Sequence, residues 1–318
     1  MKIFSAAKIN LTLEILGKRP DGFHELATWM LPVGFYDSIQ IEQTNRPSFV
    51  SNVAELKDDL SNLVNRAAQV FNRAASIDTA YTIRLEKRIP LGAGLGGGSS
   101  NAAATLRLLN ELHGSRFSQR QLEGLAAELG SDVAFFISGR SAWCTGRGER
   151  IEPRDFPGDL WVSLFKPGFA VSTAGAYFAY AQLPSEWKRG QETETPWGKL
   201  RNDLEPAILP KYLFLGVLKD WLKQQSETLL ALMSGSGSTV FAVVRSQADG
   251  KTLQARFRAE FGDRTWSSVC ELNPECLLGF DEGSVECDSS PSSGKPIDSA
   301  QKGGILADNS LDSIGSET

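Results

Sequence analysis

Two histidines and four cysteines are all the soft metal-ligand chemistry that 318 residues supply. The cysteines (Cys144, Cys270, Cys276, Cys287) contain no C-x-x-C pair, and no metal-like spacing joins them to His24 or His113. Structural zinc and a disulfide framework are thereby set aside, and the thiols are expected to be reduced and structural. No apolar run approaches the roughly 18 residues of a membrane span. No charged-then-apolar leader opens MKIFSAAKINL, so the chain is read as a cytoplasmic protein without membrane contact.

Excess positive charge is missing too. The net charge is −5, but from Asp281 to Thr318 eight acidic residues face two lysines, a net −6, so the other 280 residues carry +1. A near-neutral body offers no broad basic field, which argues against a nucleic-acid partner. The terminal segment 281–318 holds nine serines and no aromatic residue. It has too little apolar surface to order itself and is read as a disordered acidic Ser/Gly-rich tail.

What remains is 41% hydrophobic and long enough for two domains. KINLTLEIL, DSIQIEQ and SFVSNV alternate as strands, and Pro20-Asp21-Gly22 marks a turn in the connecting stretch GKRPDGFHELATWMLP. Ser61-Asn62 starts a helix through LVNRAAQVFNRAA, with Leu63, Ala67, Val70, Phe71 and Ala74 on one face. YTIRLEKRI is strand-like. A helix is predicted from about Ser99 to Leu112, and another is closed by Gly130. SAWCTGRGERIEP reads as a hairpin, and the turn-rich stretch Pro153 to Pro157 as a domain boundary. LWVSLFKPG opens a second unit, which carries a polar stretch near 185–200 and the glycine-serine loop MSGSGSTVFAVV. The fold class is α+β, with helices on largely antiparallel strands.

Between the strand YTIRLEKRI and the helix after it lies PLGAGLGGGSSN, five glycines in twelve residues. Gly92-x-Gly94-x-x-Gly97 satisfies the dinucleotide fingerprint formally, but no βαβ unit with a later acidic residue follows. The P-loop fails as well, because no lysine precedes the serines. What survives is an anion site of exposed N–H groups at a helix start, against the alternative of a plain loop with a serine cap.

Pro90 to Ala103 resembles the phosphate-binding motif of the GHMP kinases. Ala7-Lys8-Ile9-Asn10-Leu11 and Met233-Ser234-Gly235-Ser236-Gly237-Ser238-Thr239-Val240-Phe241-Ala242 lie where that family has its other two motifs. The segments AAKINLTLEILGKRPDGFHEL and GSDVAFFISGRSAWCTGRGE, with Asn202-Asp203-Leu204-Glu205-Pro206, narrow the resemblance. They are similar to the branch whose acceptor alcohol carries a cytidine diphosphate. The resemblance covers about residues 1–280.

It implies a two-domain GHMP kinase fold: a ribosomal protein S5 domain 2-like ATP-binding domain over 1–155 and a ferredoxin-like domain over 156–280. ATP is implied as phosphoryl donor with Mg²⁺, whose ligands stay unassigned. The expected ATP loop is Pro90, Leu91, Gly92, Ala93, Gly94, Leu95, Gly96, Gly97, Gly98, Ser99 and Ser100. Asp132 is carried over as the carboxylate that takes the acceptor's proton, and Lys8 as its partner. Without the resemblance, Asp132 would read as a helix cap and Lys8 as a solvated strand residue. Lys8 and Asn10 share a strand face at period two, opposite Ile9 and Leu11.

For the acceptor, the resemblance implies Asn10, Phe23, His24, Thr173 and Tyr177. Phe23 stands where the family more often has tyrosine, so the ring is kept and a hydroxyl lost. The partner implied is therefore a small molecule bearing a cytidine diphosphate, bound by a monomer or homodimer. A homoserine or mevalonate kinase of the same family, or a catalytically silent nucleotide-binding module, are the other readings.

Overall fold

The computed structural model describes residues Met1–Pro274. The tail expected over 281–318, and the last residues of the expected second domain, lie outside the described residues. Two long strands form the spine: β1 (Lys2–Lys18) and β2 (His24–Thr44), antiparallel from Lys2↔Gln40 to Lys18↔His24. The turn between them is closed by Arg19 N–H donating to Phe23 O at 2.8 Å, with Gly22 at φ 86°. The sequence reading placed HELATWMLP outside the strands. It belongs to β2, because Leu26 to Val33 are buried on both faces and show no alternation to read.

On the far edge of β2 follow β4 (Ala80–Glu86) with β3 (Ser48–Ser51), and β5 (Ala142–Gly146) with β6 (Arg150–Pro153). The β3–β4 pair is parallel and the others antiparallel. One face of this sheet is covered by α1 (Leu63–Ala75), α2 (Gly97–Leu112), α3 (Gln119–Leu129) and α4 (Ser131–Ser138). Phe71, Leu106, Leu109 and Phe135 meet Ile39, Ile83 and Leu85 there. Helix α1 buries Val64, Ala67, Val70 and Phe71, close to the stripe read from the sequence, and Asn62 Oδ1 caps it at Val64 N.

The division expected at 155/156 falls in the loop between β6 and β7 (Trp161–Lys166). A second, wholly antiparallel sheet runs β10-β11-β7-β12, with β10 (Thr228–Met233), β11 (Val240–Val244) and β12 (Trp266–Glu271). The polar stretch near 185–200 supplies a short hairpin, β8 (Thr193–Thr195) and β9 (Gly198–Leu200).

Alternation decides what the second sheet buries. Leu230, Leu232, Phe241 and Val243 point one way, into a core shared with Ala7, Ile9, Leu11, Leu31 and Val33 of the first sheet. Ala231, Met233, Val240, Ala242 and Val244 point the other way. There they meet the helices α5 (Thr173–Gln182), α6 (Glu205–Ile208), α7 (Leu213–Lys223) and α8 (Gln247–Phe261). The order of layers is therefore helices, sheet, sheet, helices. Each large aliphatic side chain buried in the middle contributes about 1.5–3 kcal/mol.

Candidate active site

The glycine stretch Pro90–Ser99 lines one wall of a cavity of about 920 Å³. Gly92, Gly94 and Gly96 have φ of 59°, 75° and 68°, left-handed values that residues with a Cβ adopt only under strain. Helix α2 starts at Gly97, two residues earlier than read from the sequence, with Gly96 as its cap and no side-chain cap bond. Gly97 and Gly98 are thus first-turn residues whose N–H groups have no partner within the helix, the arrangement that favours an anion.

Ser100 is the one member of the expected ATP loop that the cavity does not reach. It is buried one turn further on, its N–H donates to Gly96 O at 2.9 Å, and it lines a void of about 20 Å³ with Ser5 and Arg107. A helix starting at Gly97 turns the fourth residue inward. The sequence reading had started the helix at Ser99 and so placed Ser100 in its first turn.

A second glycine loop, Ser234–Thr239, holds the first in shape. Thr239 N–H donates to Ala93 O at 3.1 Å and Ser234 Oγ to Gly94 O at 2.9 Å. A Cβ on Gly94 would lie 2.2 Å from Ser234 O. The segment Asn202 to Pro206 braces this second loop. Asn202 Nδ2 donates to Met233 O at 2.7 Å and Gly235 O at 2.8 Å, and Glu205 accepts Met233 N–H at 2.9 Å. Burial pushes the Glu205 carboxyl up, and its buried ion pair with Lys219 opposes the shift.

Lys8 enters the cavity floor from β1, with its backbone N–H bonded to Leu95 O of the glycine loop at 3.0 Å. Its ammonium donates to Asn10 Oδ1 at 2.5 Å and sits 3.5 Å from Asp132 Oδ2. Asp132 occupies the second position of α4, whose cap is Gly130 and carries no side-chain cap bond. Its carboxylate therefore faces Lys8 and the cavity, where the helix N-terminus favours its charge. Behind the pair, burial first and the Asp132 charge second push the Cys144 thiol up to about 12, which keeps it protonated and inert.

At the other end, the His24 ring stacks on Tyr177 with centroids 5.3 Å apart and planes 22° apart, and meets the edge of Tyr180 at 5.8 Å. Burial, then Lys18 and Lys188, hold the imidazole below its ordinary 6.5, so it is neutral at pH 7. Burial, followed by the Asp132 charge, pushes the Tyr177 phenol up. Phe23 lines the cavity from the β1–β2 turn, exposed, with the Arg147 guanidinium 5.0 Å from its ring centroid. Thr173, the first residue of α5, pairs its hydroxyl with Ser236 Oγ at 3.1 Å.

Every expected residue except Ser100 lines this one cavity. The sequence reading missed its further cations, Lys18, Lys87 and Arg147. Lys87 is paired with the fully buried Asp37, which also accepts Arg88 N–H at 2.6 Å, Ile89 N–H at 2.8 Å and Asn101 Nδ2 at 2.8 Å. The signal for it was local: Lys87 directly follows β4, the strand that feeds the glycine loop. Among the lining residues Asp132 is the single carboxylate against four lysine and arginine side chains, a balance suited to phosphate. Among the described residues no group of three metal-ligating side chains exists.

Comparison with known proteins gives the following likenesses. Residues 62–140 match the GHMP kinases N terminal domain and residues 194–263 the GHMP kinases C terminal domain. A 4-diphosphocytidyl-2-C-methyl-D-erythritol kinase of Methylacidiphilum infernorum is 40% identical over 285 residues, 86% of this chain and 94% of that protein. One of Desulfitobacterium hafniense is 36% identical, over 81% of this chain and 92% of its own. A crystal structure of 4-(cytidine 5'-diphospho)-2C-methyl-D-erythritol kinase superposes with a TM-score of 0.72 at 30% identity, covering 86% of this chain and all of that one. A homoserine kinase from Cytophaga hutchinsonii, 18% identical with a TM-score of 0.65 over 85% of this chain and 93% of its own, shares the fold.

Proposed function

The chain belongs to the GHMP kinases, and among them to the 4-diphosphocytidyl-2-C-methyl-D-erythritol kinases; from that premise we propose how its cavity works. The enzyme transfers the γ-phosphoryl group of ATP to a hydroxyl of 4-diphosphocytidyl-2-C-methyl-D-erythritol. The products are the 2-phosphate and ADP, in non-mevalonate isoprenoid precursor synthesis. The observation that carries the reading is the Lys8–Asp132 pair at 3.5 Å, set in the cavity that the glycine loop walls and the His24–Tyr177 pair lines.

Phosphoryl transfer asks a protein mainly for positioning and for charge to offset the transferring oxygens. The N–H groups of Gly92 to Ser99 and the start of α2 hold the triphosphate. Asp132 accepts the proton of the acceptor hydroxyl as its oxygen bonds to the γ-phosphorus and the bond to ADP breaks. Lys8 offsets the negative charge that grows on the reacting oxygens. Asn10 fixes Lys8 and the acceptor alcohol. Mg²⁺, carried by the triphosphate, would find the Ser99 hydroxyl and the Asp132 carboxylate here, and it supplies charge neutralisation on the phosphates.

The cytosine is assigned to the aromatic end. Tyr177, with His24 stacked on it, and Phe23 supply ring faces, and neutral His24 has one donor and one acceptor nitrogen for the base edge. Thr173 contacts the acceptor from α5. Residues 1–155 are taken as the ATP-binding domain and 156–280 as its partner domain. The enzyme is taken to work in the cytoplasm as a monomer or homodimer, without nucleic acid.

The test is ATP-dependent phosphorylation of 4-diphosphocytidyl-2-C-methyl-D-erythritol, homoserine and mevalonate, measured side by side with ADP release. Turnover of the cytidyl substrate alone is expected. Turnover of homoserine or mevalonate without it would refute the assignment, and ATP binding without turnover of any would make the chain a silent nucleotide-binding module.

A further inference from the structure

Lys8 can only donate hydrogen bonds, whereas the Asn10 amide has an accepting end and a donating end of nearly the same shape. The 2.5 Å contact between Lys8 Nζ and Asn10 Oδ1 therefore requires the amide to lie one way round. Nothing in Asn10 itself enforces that choice. The other end of the amide settles it. Asn10 Nδ2 donates to Thr28 Oγ1 at 2.8 Å, and Thr28 Oγ1 donates its only proton to Thr12 O at 2.7 Å. A carbonyl cannot donate, so the Thr28 hydroxyl has no proton left for Asn10 and offers it lone pairs alone. Only the NH₂ end of the amide fits there.

We infer that Thr28 is a positioning residue of this kinase: its hydroxyl, pinned by the Thr12 carbonyl, orients the Asn10 amide so that Oδ1 holds the Lys8 ammonium beside Asp132. The chain runs one way, from Lys8 to Asn10 Oδ1 and from Asn10 Nδ2 through Thr28 to Thr12. Its members are buried at the cavity floor: Lys8 is 4% exposed, Asn10 2%, Thr12 1% and Thr28 0%, and Lys8, Asn10 and Thr28 line the cavity. At such burial an unsatisfied amide end is costly. The strands set up the geometry. The β1–β2 register slips between Asn10 and Thr12, and Thr28 pairs with Leu13. An amide turned the other way would set an NH₂ against an ammonium, and Lys8 would leave its place 3.5 Å from Asp132. The inference rests on the proposed reaction only for its kinetic consequence.

Two variants separate this orienting role from packing. Thr28→Val keeps the shape and removes the hydroxyl; Thr28→Ser keeps the hydroxyl and removes a methyl. Thr28→Val is expected to lower kcat about tenfold or more while the KM values for ATP and acceptor stay within about twofold, the signature of a contact that matters in the transition state. Thr28→Ser is expected to restore kcat. A packing role predicts the reverse order, because serine opens a methyl-sized void at a fully buried position while valine fills it. Unchanged kcat in Thr28→Val, or an equal or larger loss in Thr28→Ser, overturns the inference. Should Thr28→Val fail to fold, Thr28→Ala is compared with Thr28→Ser, which lacks the same methyl but keeps the hydroxyl: an about tenfold kcat loss in Thr28→Ala alone is expected, and equal losses in the two overturn the inference.

A second readout needs no substrate. The side-chain NH₂ of Asn10 should be protected from hydrogen exchange in ¹⁵N NMR spectra of wild type and Thr28→Ser, and unprotected in Thr28→Val. Equal protection in all three overturns the inference even with an inactive enzyme. A wild type that leaves the cytidyl substrate untouched refutes the reaction assignment alone.

Discussion

Replacing Asp132 by asparagine separates chemistry from folding. Had the side chain capped α4, its loss would cost about 0.5–2 kcal/mol of stability. The cap is Gly130, and the Asp132 carboxylate is spent on Lys8. Asp132→Asn is therefore expected to unfold within a few degrees of wild type and to bind ATP nearly as well. Its kcat should fall by about 10²–10⁴, the usual worth of a positioned general base. Thermal denaturation, ATP titration and single-turnover kinetics check the three parts, and a protein that melts early with ordinary kcat would restore the capping role. At this scale much of the site was legible. Lys8 and Asn10 show their common face by period two, and Asp132 sits in a recognisable motif. Lys18, Arg147, Asp37 and Thr28 were not legible, because their meaning lies in partners from other elements. Thr28 acts on Asn10 from the opposite strand, and Asp37 reaches Lys87 and Asn101 from β2.

At the scale of the element, the glycines divide into two kinds that the sequence does not distinguish. Gly94 lies at φ 75° against the second glycine loop, where a Cβ would meet Ser234 O at 2.2 Å and Gly237 O at 2.9 Å. Gly98 is helical, and its nearest would-be neighbour is Leu63 Cδ1 at 3.8 Å. Gly94→Ala is expected to destabilise by about 2–4 kcal/mol. Gly98→Ala is expected to be neutral or to stabilise by about 0.5–1 kcal/mol, since alanine is the better helix former. Denaturant titrations of the two variants decide it, and equal losses would mean the loops are not locked as described. The same division explains why the start of α2 was misread. Glycine is a poor helix former, so the sequence put the helix after the run. Gly97 is nonetheless helical and packs so close that a Cβ would meet Ile89 Cγ2 at 2.9 Å. Tertiary contact outweighed propensity there. In β2, by contrast, burial of Leu26 to Val33 on both faces erased the alternation that would have marked it.

The molecule as a whole is tied through its middle. The shared core takes Leu31 from the first sheet and Leu232 from the second, both fully buried. Either half alone would expose that surface to water. Calorimetry is expected to show one unfolding transition, lowered by Leu31→Ala and by Leu232→Ala alike, each by about 2–5 kcal/mol. Two transitions that respond separately would mean the halves fold as independent bodies. The sequence announced two units through the turn-rich stretch near Pro153. It could not announce their common core, because inward-facing residues of a strand do not name the sheet they will face. The lock between the two glycine loops carries this dependence into heredity. Ala93 and Gly94 are held by Thr239 and Ser234, and at Gly94 the fit leaves no slack for a Cβ. A recombination event joining the front of one such kinase to the back of another thus inherits a nucleotide cradle from one parent and its mould from the other. New acceptor specificities in this fold should therefore arise by change within a lineage more readily than by exchange of halves.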